Sequence, residues 1–328
     1  MKISVALCTY NGARFLQEQL DSLLAQDRLP DEIVVCDDGS TDQTIPILEA
    51  FQAKVTFPVV LHRNPVNFGP AKNFENAIKL CCGDLIALAD QDDIWLPEKL
   101  ALSEQYFIKH PNSEVVFSNG LVVNSDLAPL NYTLWDQVGF TPSECQKVCR
   151  NQGLEVLLKH VVVTGATMVI KASILERALP IPRLWMHDAW IAIIAATSGT
   201  LGVVQAPLFL YRQHAANVIG APRRSIFQRF QETFKIDRRA YHALEFDRYF
   251  CLRERLLTFA NINRADAKDL VDLKLKHLKV RSSLPNNRFG RIIPILKELL
   301  TFGYFRYSAS WQVAIKDFLL QENSLGTD

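Results

Sequence analysis

Four short apolar runs, each ending in turn or acidic residues and each followed by a helical pattern, constrain this 328-residue chain most. Ile3–Cys8 reads as a buried strand that stops at Thr9-Tyr10-Asn11. Phe15, Leu16, Leu20, Leu23 and Leu24 then recur at helical spacing. Glu32–Cys36 is a second such strand, closed by Asp37-Asp38-Gly39-Ser40-Thr41-Asp42, where Ser40 or Thr41 is placed to cap a helix through Ile45, Ile47, Leu48 and Phe51. Val59–His62 and Asp84–Ala89 are further strands, with a helix over Ala71–Leu80 between them. Continuous rather than alternating apolar strands, separated by helices, predict an α/β fold with a largely parallel, doubly wound sheet covered on both faces. Ligands of such sheets bind beyond the carboxyl ends of the strands. The clusters at Thr9, Asp37 and Asp90 are therefore expected on one edge.

The middle of the chain is mixed. Val115–Phe117, Leu121–Asn124 and part of Val161–Ile170 read as strands, Met186–Ala196 as a helix, and Val203–Tyr211 as a strand interrupted by Pro207. A boundary is expected near Gly220, with a catalytic domain over 1–220 and a basic, mostly helical region over 221–328. The whole-chain charge of +1 conceals the division. Residues 221–328 hold 20 Lys and Arg against 12 Asp and Glu, a balance of +8 that leaves −7 for the front.

Two acidic clusters bear most on chemistry. Asp90-Gln91-Asp92-Asp93, running into Ile94-Trp95-Leu96-Pro97, puts three mutually repelling carboxylates directly after an apolar strand. A divalent cation would neutralise them, and oxygen donors suit Mn²⁺ or Mg²⁺; a solvated acidic turn is the alternative. Asp37-Asp38 is either a turn with a helix cap or a pair accepting hydrogen bonds from a base or ribose. His187-Asp188 opens a helix between Trp185 and Trp190, where Asp188 is either a cap or a general base. Tyr211-Arg212-Gln213-His214 offers Arg212 to a diphosphate and His214 to a metal or phosphate.

Other chemistries lack their signatures. There is no phosphate-binding Gly-rich loop, no Gly-x-Ser-x-Gly elbow and no apolar stretch of membrane-spanning length, and no secretory leader is expected. The seven cysteines, an odd number, read as reduced thiols of a cytoplasmic protein rather than a disulfide framework.

Together these residues resemble the family 2 glycosyltransferases, and more closely their bacterial rhamnosyltransferase-like members. The resemblance rests on Ile3–Asn11, Asp37–Asp42, Asn67-Phe68-Gly69, Ala89–Pro97, His187-Asp188, Tyr211–His214 and Asn217–Gly220. It implies a GT-A, Rossmann-like mixed sheet and an inverting transfer from a nucleotide-diphosphate sugar. It also implies contacts to the nucleotide sugar from Thr9, Tyr10, Asn11, Asp37, Asp38, Asn67, Lys72, Asp90, Gln91 and Arg212. Asp92 would be the main ligand of Mn²⁺ or Mg²⁺, with Asp93 and His214 assisting, and Asp188 would be the base. The family often carries Glu-Asp where this chain has His187-Asp188. The implied donor is dTDP-rhamnose, with UDP-hexoses open, and the implied acceptor is a lipid-linked oligosaccharide of a bacterial surface polysaccharide. The basic, aromatic C-terminal region, with Arg288–Leu296 as its most amphipathic part, would meet an anionic inner membrane from the cytoplasmic side or form a homo-oligomer; no nucleic acid partner is expected. A Mg²⁺-dependent sugar nucleotidyltransferase and a noncatalytic nucleotide-sugar-binding protein are the rival readings.

Overall fold

The computed structural model describes residues 1–214, 238–259 and 264–319, so Asn217–Gly220, the boundary near Gly220 and Phe227, Phe230 and Phe234 lie outside the described residues. Nine strands form one mixed sheet: β1 (Ile3–Thr9), β2 (Glu32–Asp37), β3 (Val59–Arg63), β4 (Leu85–Asp90), β5 (Ile94–Trp95), β6 (Val115–Val123), β7 (Pro129–Thr133), β8 (Met168–Lys171) and β9 (Leu201–Arg212). The order is β3-β2-β1-β4-β8-β6-β9-β5, with β7 on β6. The first four strands are mutually parallel, as their apolar composition predicts. β8 enters antiparallel beside β4, which reverses direction at the centre of the sheet.

Helices α1 (Leu16–Leu24), α2 (Thr44–Lys54) and α3 (Pro70–Leu80) join the parallel strands. The expected cap of α2 is different. Its N-cap is Gln43, without a side-chain bond, because Ser40 is engaged within the preceding turn. Then follow α4 (Lys99–Lys109), α5 (Leu134–Val138), α6 (Pro142–Cys149), α7 (Gly153–Lys159), α8 (Leu175–Ala178) and α9 (His187–Thr197). The apolar run from Trp190 to Val204 divides into α9 and the start of β9, and no helix among the described residues is long and apolar enough to cross a membrane.

The middle strands differ from their sequence patterns for physical reasons. Val115–Phe117 and Leu121–Asn124 are one strand, β6, continuous through Ser118-Asn119-Gly120. Gly120 is required there, since a Cβ would lie 2.5 Å from the Phe209 ring. Pro207 does not break β9: it pairs with Asn119 at a point where the β6–β9 register shifts on either side, between Ser118 and Asn119 and again before Leu121. Within 161–170 only Met168–Ile170 belongs to a strand, as Gly165–Thr167 forms a 3₁₀ turn before it.

The core of this unit packs Val5, Leu7, Val35, Ala87, Ala89, Trp95 and Phe209 with Leu16, Leu20, Leu48 and Leu100 from the helices. Cys8, Cys36 and Cys145 are buried thiols, whereas Cys82 and Cys149 are exposed; none is in a disulfide. Burial, helped by the Asp38 charge, pushes the Cys36 thiol up to about 12.

Residues 154–161 group with the C-terminal residues as a second compact unit, which sequence patterning does not reveal. Its described helices are α10 (Arg238–Leu257), α11 (Ala267–Ser282), α12 (Arg288–Leu300), α13 (Gly303–Tyr307) and α14 (Gln312–Leu319). A small core of Leu284, Ile295, Tyr304 and Ala314 is bordered by polar contacts: the Asp317 carboxylate takes Arg281 Nε at 2.7 Å and the Tyr304 hydroxyl at 2.8 Å. On α12 the amphipathic sense is inverted. Arg291 is buried, while Phe289, Ile293, Leu296 and Leu300 are exposed.

Candidate active site

The carboxyl ends of β1, β2 and β4 meet, and short polar side chains knit them. Thr9 pairs with Asp37 and Cys8 with Asp90 across the sheet, so the two acidic positions flank the end of β1. Asp37 is buried and accepts Thr9 Oγ1 at 2.9 Å and the Ser40 amide at 2.9 Å. Asp38 accepts Asn64 Nδ2 at 2.8 Å and the amides of Phe68 and Gly69 at 2.9 and 2.8 Å, which ties the Asn67 loop to β2. Gln91 clamps Tyr10 from both sides: its Oε1 accepts the Tyr10 amide at 2.8 Å and its Nε2 donates to the Tyr10 carbonyl at 3.0 Å. Gly12 leaves room for this clamp, because a Cβ there would fall 2.1 Å from Gln91 Oε1. Asn11, in the left-handed region at φ 48°, donates its amide to Ser40 Oγ at 2.8 Å and accepts the Thr41 amide at 2.9 Å. The Tyr10 ring, in contrast, is exposed.

The acidic turn after β4 is fixed by β5 and β9. Ile94 and Trp95 pair with Leu210 and Phe209, which sets Asp92 and Asp93 against Arg212 and His214. His214 Nε2 lies 2.8 Å from Asp92 Oδ2. Asp93 is turned inward: Oδ1 accepts the Arg212 amide at 3.1 Å, and Oδ2 is buried with no hydrogen-bond partner among the described residues. Burial first, then the Asp92 and Asp188 charges, push Asp90 up to about 7. Asp93 is raised for the same kinds of reason, burial ahead of Asp92 and Asp90. Lys99, buried over the Trp95 ring at 4.2 Å, is pressed down to about 7 by burial, which the Asp93 and Asp90 charges oppose. No sequence motif points to Lys99; it is a buried cation behind an acidic turn.

Asp188 sits in the first turn of α9, facing the same cluster. Oδ2 accepts the Gly165 amide at 3.0 Å and Oδ1 the Ala189 amide at 2.7 Å, so its orientation is held at a helix N-terminus where a carboxylate is favoured. His187 is stacked on Phe74 at 4.0 Å and buried, with both ring nitrogens lacking hydrogen-bond partners among the described residues. Burial lowers its pKa and keeps it neutral.

Two of the expected donor contacts are engaged elsewhere. Lys72 Nζ bonds Glu75 Oε1 at 2.7 Å, a buried carboxylate that also holds Lys79 and the Ile181 amide. Arg212 is only 1% exposed. Its Nε donates to the Asp92 carbonyl at 2.9 Å, one terminal nitrogen to the Ser125 carbonyl at 2.7 Å and the other to Glu18, while the guanidinium lies 4.5 Å over Phe15. It braces the acidic turn rather than facing outward. Glu18 and Ser125 carry no sequence signal for this role.

The donor set fits a divalent cation on two counts: a carboxylate and an imidazole, Asp92 and His214, are side by side, and burial together with the neighbouring carboxylate charges penalises ionisation of Asp90 and Asp93, a penalty that a cation would relieve. Among the described residues, no group of three or more His, Cys, Asp or Glu side chains is arranged around one point. One or two protein ligands completed by substrate phosphate oxygens is the usual Mg²⁺ arrangement.

This mixed sheet with its helical C-terminal region is that of the GT-A glycosyltransferases. Residues 4–140 match the Glycosyl transferase family 2 sequence model. The dTDP-rhamnosyl transferase RfbG of Shigella flexneri is 30% identical over 233 residues, which cover 66% of this chain and 74% of RfbG. An uncharacterized glycosyltransferase of Nostoc is 29% identical over 66% of each chain, and the Abequosyltransferase RfbV of Salmonella typhimurium is 33% identical over 32% of each. The chain thus spans about two thirds of the Nostoc protein's length and one third of RfbV's. Among solved structures, Staphylococcus aureus TarS 1–349 in complex with UDP-GlcNAc superposes with a TM-score of 0.58 at 20% identity, over 97% of this chain and 80% of that one. A mannosyltransferase of Pyrobaculum calidifontis in complex with GDP-Man and Mn²⁺ gives 0.52 at 18% identity, over 97% and 85%. The chain belongs to family 2 of the glycosyltransferases.

Proposed function

We propose that the protein is an inverting, metal-dependent glycosyltransferase. It would move a sugar from a nucleotide-diphosphate donor to a hydroxyl of a lipid-linked oligosaccharide in bacterial surface-polysaccharide synthesis, at the cytoplasmic face of the membrane. One observation carries the reading: the Asp92–His214 pair and Asp188, from three separate stretches of chain, face one acidic cluster at the ends of β1, β2 and β4.

In this reading Thr9, Tyr10, Asn11, Asp37, Asp38 and the Asn67 loop shape the nucleotide pocket. Most of the Asp37 and Asp38 hydrogen-bonding capacity is already directed to protein donors, so their first effect is to fix that pocket's walls. Asp92 and His214 would hold Mn²⁺ or Mg²⁺, which would neutralise charge on the departing diphosphate. Asp188 takes the proton of the acceptor hydroxyl as its oxygen attacks the anomeric carbon. The bond to the nucleotide diphosphate breaks on the opposite face, and the configuration inverts. Asp188 serves this role because its two amide bonds aim it while leaving lone pairs for the hydroxyl. Lys72 and Arg212 have supporting parts, through Glu75 and the acidic turn respectively.

RfbG makes dTDP-rhamnose the first donor to test. The N-acetylglucosaminyltransferase TarS, solved with UDP-GlcNAc, makes UDP-hexoses the second. The exposed apolar row on α12, bordered by Arg288 and Lys297, suits a lipid surface. The test is transfer and donor hydrolysis across dTDP-, UDP- and GDP-sugars with Mn²⁺, Mg²⁺ or EDTA. One donor class should turn over only with metal, and Asp188→Asn should abolish transfer while leaving donor affinity nearly unchanged. Full activity in Asp188→Asn would remove the base assignment, and absence of binding to every donor would remove the transferase reading.

A further inference from the structure

Lys99 breaks two rules at once. It is fully buried, which lysine seldom is, and it is the first residue of α4, where the helix dipole disfavours a cation. No carboxylate among the described residues is within ion-pair distance of its ammonium, so a salt bridge does not account for it. Its Nζ instead donates to the Ala166 carbonyl and lies 4.2 Å over the Trp95 ring and 4.8 Å over the Phe209 ring. Both sides of this contact bear on the site. Ala166 is the middle residue of the Gly165–Thr167 turn, which is held internally by the Thr167 amide and hydroxyl on the Thr164 carbonyl, at 2.9 and 2.6 Å. A turn of three residues has few bonds with which to fix itself. Ala166 is enclosed, so its carbonyl needs a donor, and Lys99 is that donor. The amide one residue back, that of Gly165, bonds Asp188 Oδ2 at 3.0 Å. On the other side, Trp95 and Phe209 are a cross-strand pair of β5 and β9, the ladder that sets Asp92 and Asp93 against Arg212 and His214.

We propose that Lys99 is a positioning residue for Asp188. Seated on the β5–β9 ladder, its ammonium pins the Ala166 carbonyl, and through the Gly165 amide it sets where the Asp188 carboxylate stands relative to the acidic turn. Arg212 braces the turn that carries Asp92, and Lys99 braces the turn that aims Asp188. An apolar side chain of the same length would keep the packing on the two rings and lose the pin. The part played by Asp188 as base rests on the transferase reading above, whereas the pinning of the 165–167 turn does not.

The test compares full-length wild type and Lys99→Met by amide hydrogen exchange in EDTA and by kinetics. Residues 164–168 and the first turn of α9 should lose protection by about tenfold or more, while β1, β2 and β4 keep theirs. With the donor that turns over, kcat should fall about 10–100-fold, the cost of a small displacement of a reacting group. KM for that donor and calorimetric Mn²⁺ affinity should be unchanged, a split that general destabilisation does not produce. Should Lys99→Met fail to fold, the wild type decides. Its amides at 165–167 should exchange as slowly as those of β4, and fast local exchange there overturns the proposal. In a folded Lys99→Met, unchanged protection at 164–168, lost protection with full kcat, or a parallel loss of donor and Mn²⁺ affinity each overturns it. Protection lost at 164–168 in a protein that turns over no nucleotide sugar would remove the transferase reading and leave the pin standing.

Discussion

Arg212→Met separates two roles for one guanidinium. If Arg212 braces the acidic turn, its loss strands the Asp92 and Ser125 carbonyls, which it reaches at 2.9 and 2.7 Å. Each unsatisfied acceptor costs about 1–3 kcal/mol. The contact over Phe15 at 4.5 Å contributes about 1–2 kcal/mol more in a desolvated setting. The Glu18 pair adds little, since Glu18 is half exposed and such pairs are worth at most about 1 kcal/mol. A buried methionine returns about 1–2 kcal/mol of apolar transfer energy. The net loss is about 3–5 kcal/mol, which for a unit of this size lowers Tm by on the order of 10 °C. Because the turn also carries Asp92 beside His214, Mn²⁺ affinity should fall about 10–100-fold, as for other supports of metal ligands. Differential scanning fluorimetry in EDTA and calorimetric Mn²⁺ titration read the two effects separately. An unchanged Tm and Mn²⁺ affinity together with a much reduced kcat would refute the bracing role and return Arg212 to the diphosphate.

Three further outcomes follow from the same geometry. Gly165→Ala places a Cβ 2.6 Å from His187 Nε2 and disturbs the amide that aims Asp188; kcat should drop about tenfold or more with donor Kd little changed, as steady-state kinetics beside donor titration will show. Asp317→Ala removes the carboxylate that the buried Arg281 bonds and should cost about 3–5 kcal/mol in the C-terminal unit, seen as a lower urea midpoint by near-UV circular dichroism. Lys99 and Lys274, both held near 7 in the fold against about 10.4 when unfolded, bind fewer protons folded than unfolded between those values. The lysines' own contribution to stability therefore rises with pH from about 7 to 10, each with a slope of at most about 1.4 kcal/mol per pH unit, opposed above about 8.5 by the buried Cys36 thiol; Lys274→Met should remove its share, read as the wild-type minus variant difference in chemical unfolding at pH 7, 8.5 and 10.

The parallel half of the sheet is legible in the sequence because strands buried on both faces must be apolar throughout and must end in residues that turn. The second half is not, because its strands owe their continuity to partners. β6 runs through Ser118-Asn119-Gly120 only because Phe209 occupies the space above Gly120, and β5 is two residues long and exists through β9. The acidic positions stand out in the sequence as unfavourable clusters, but their partners do not. That Lys72 turns to Glu75 and Arg212 to the Asp92 carbonyl depends on contacts separated by 3 residues in one case and 120 in the other. Only the former is readable from helical spacing. The grouping of residues 154–161 with the C-terminal unit leaves no local pattern at all.

All eleven residues of α9, which carries Asp188, are buried. A segment so enclosed exchanges its amide hydrogens through large-scale opening rather than local fraying, and under the proposed mechanism the Asp188 carboxylate would have almost no freedom to search. Differences in acceptor geometry must then be absorbed by the acceptor's own approach, which makes α9 a fixed datum against which each incoming hydroxyl is measured.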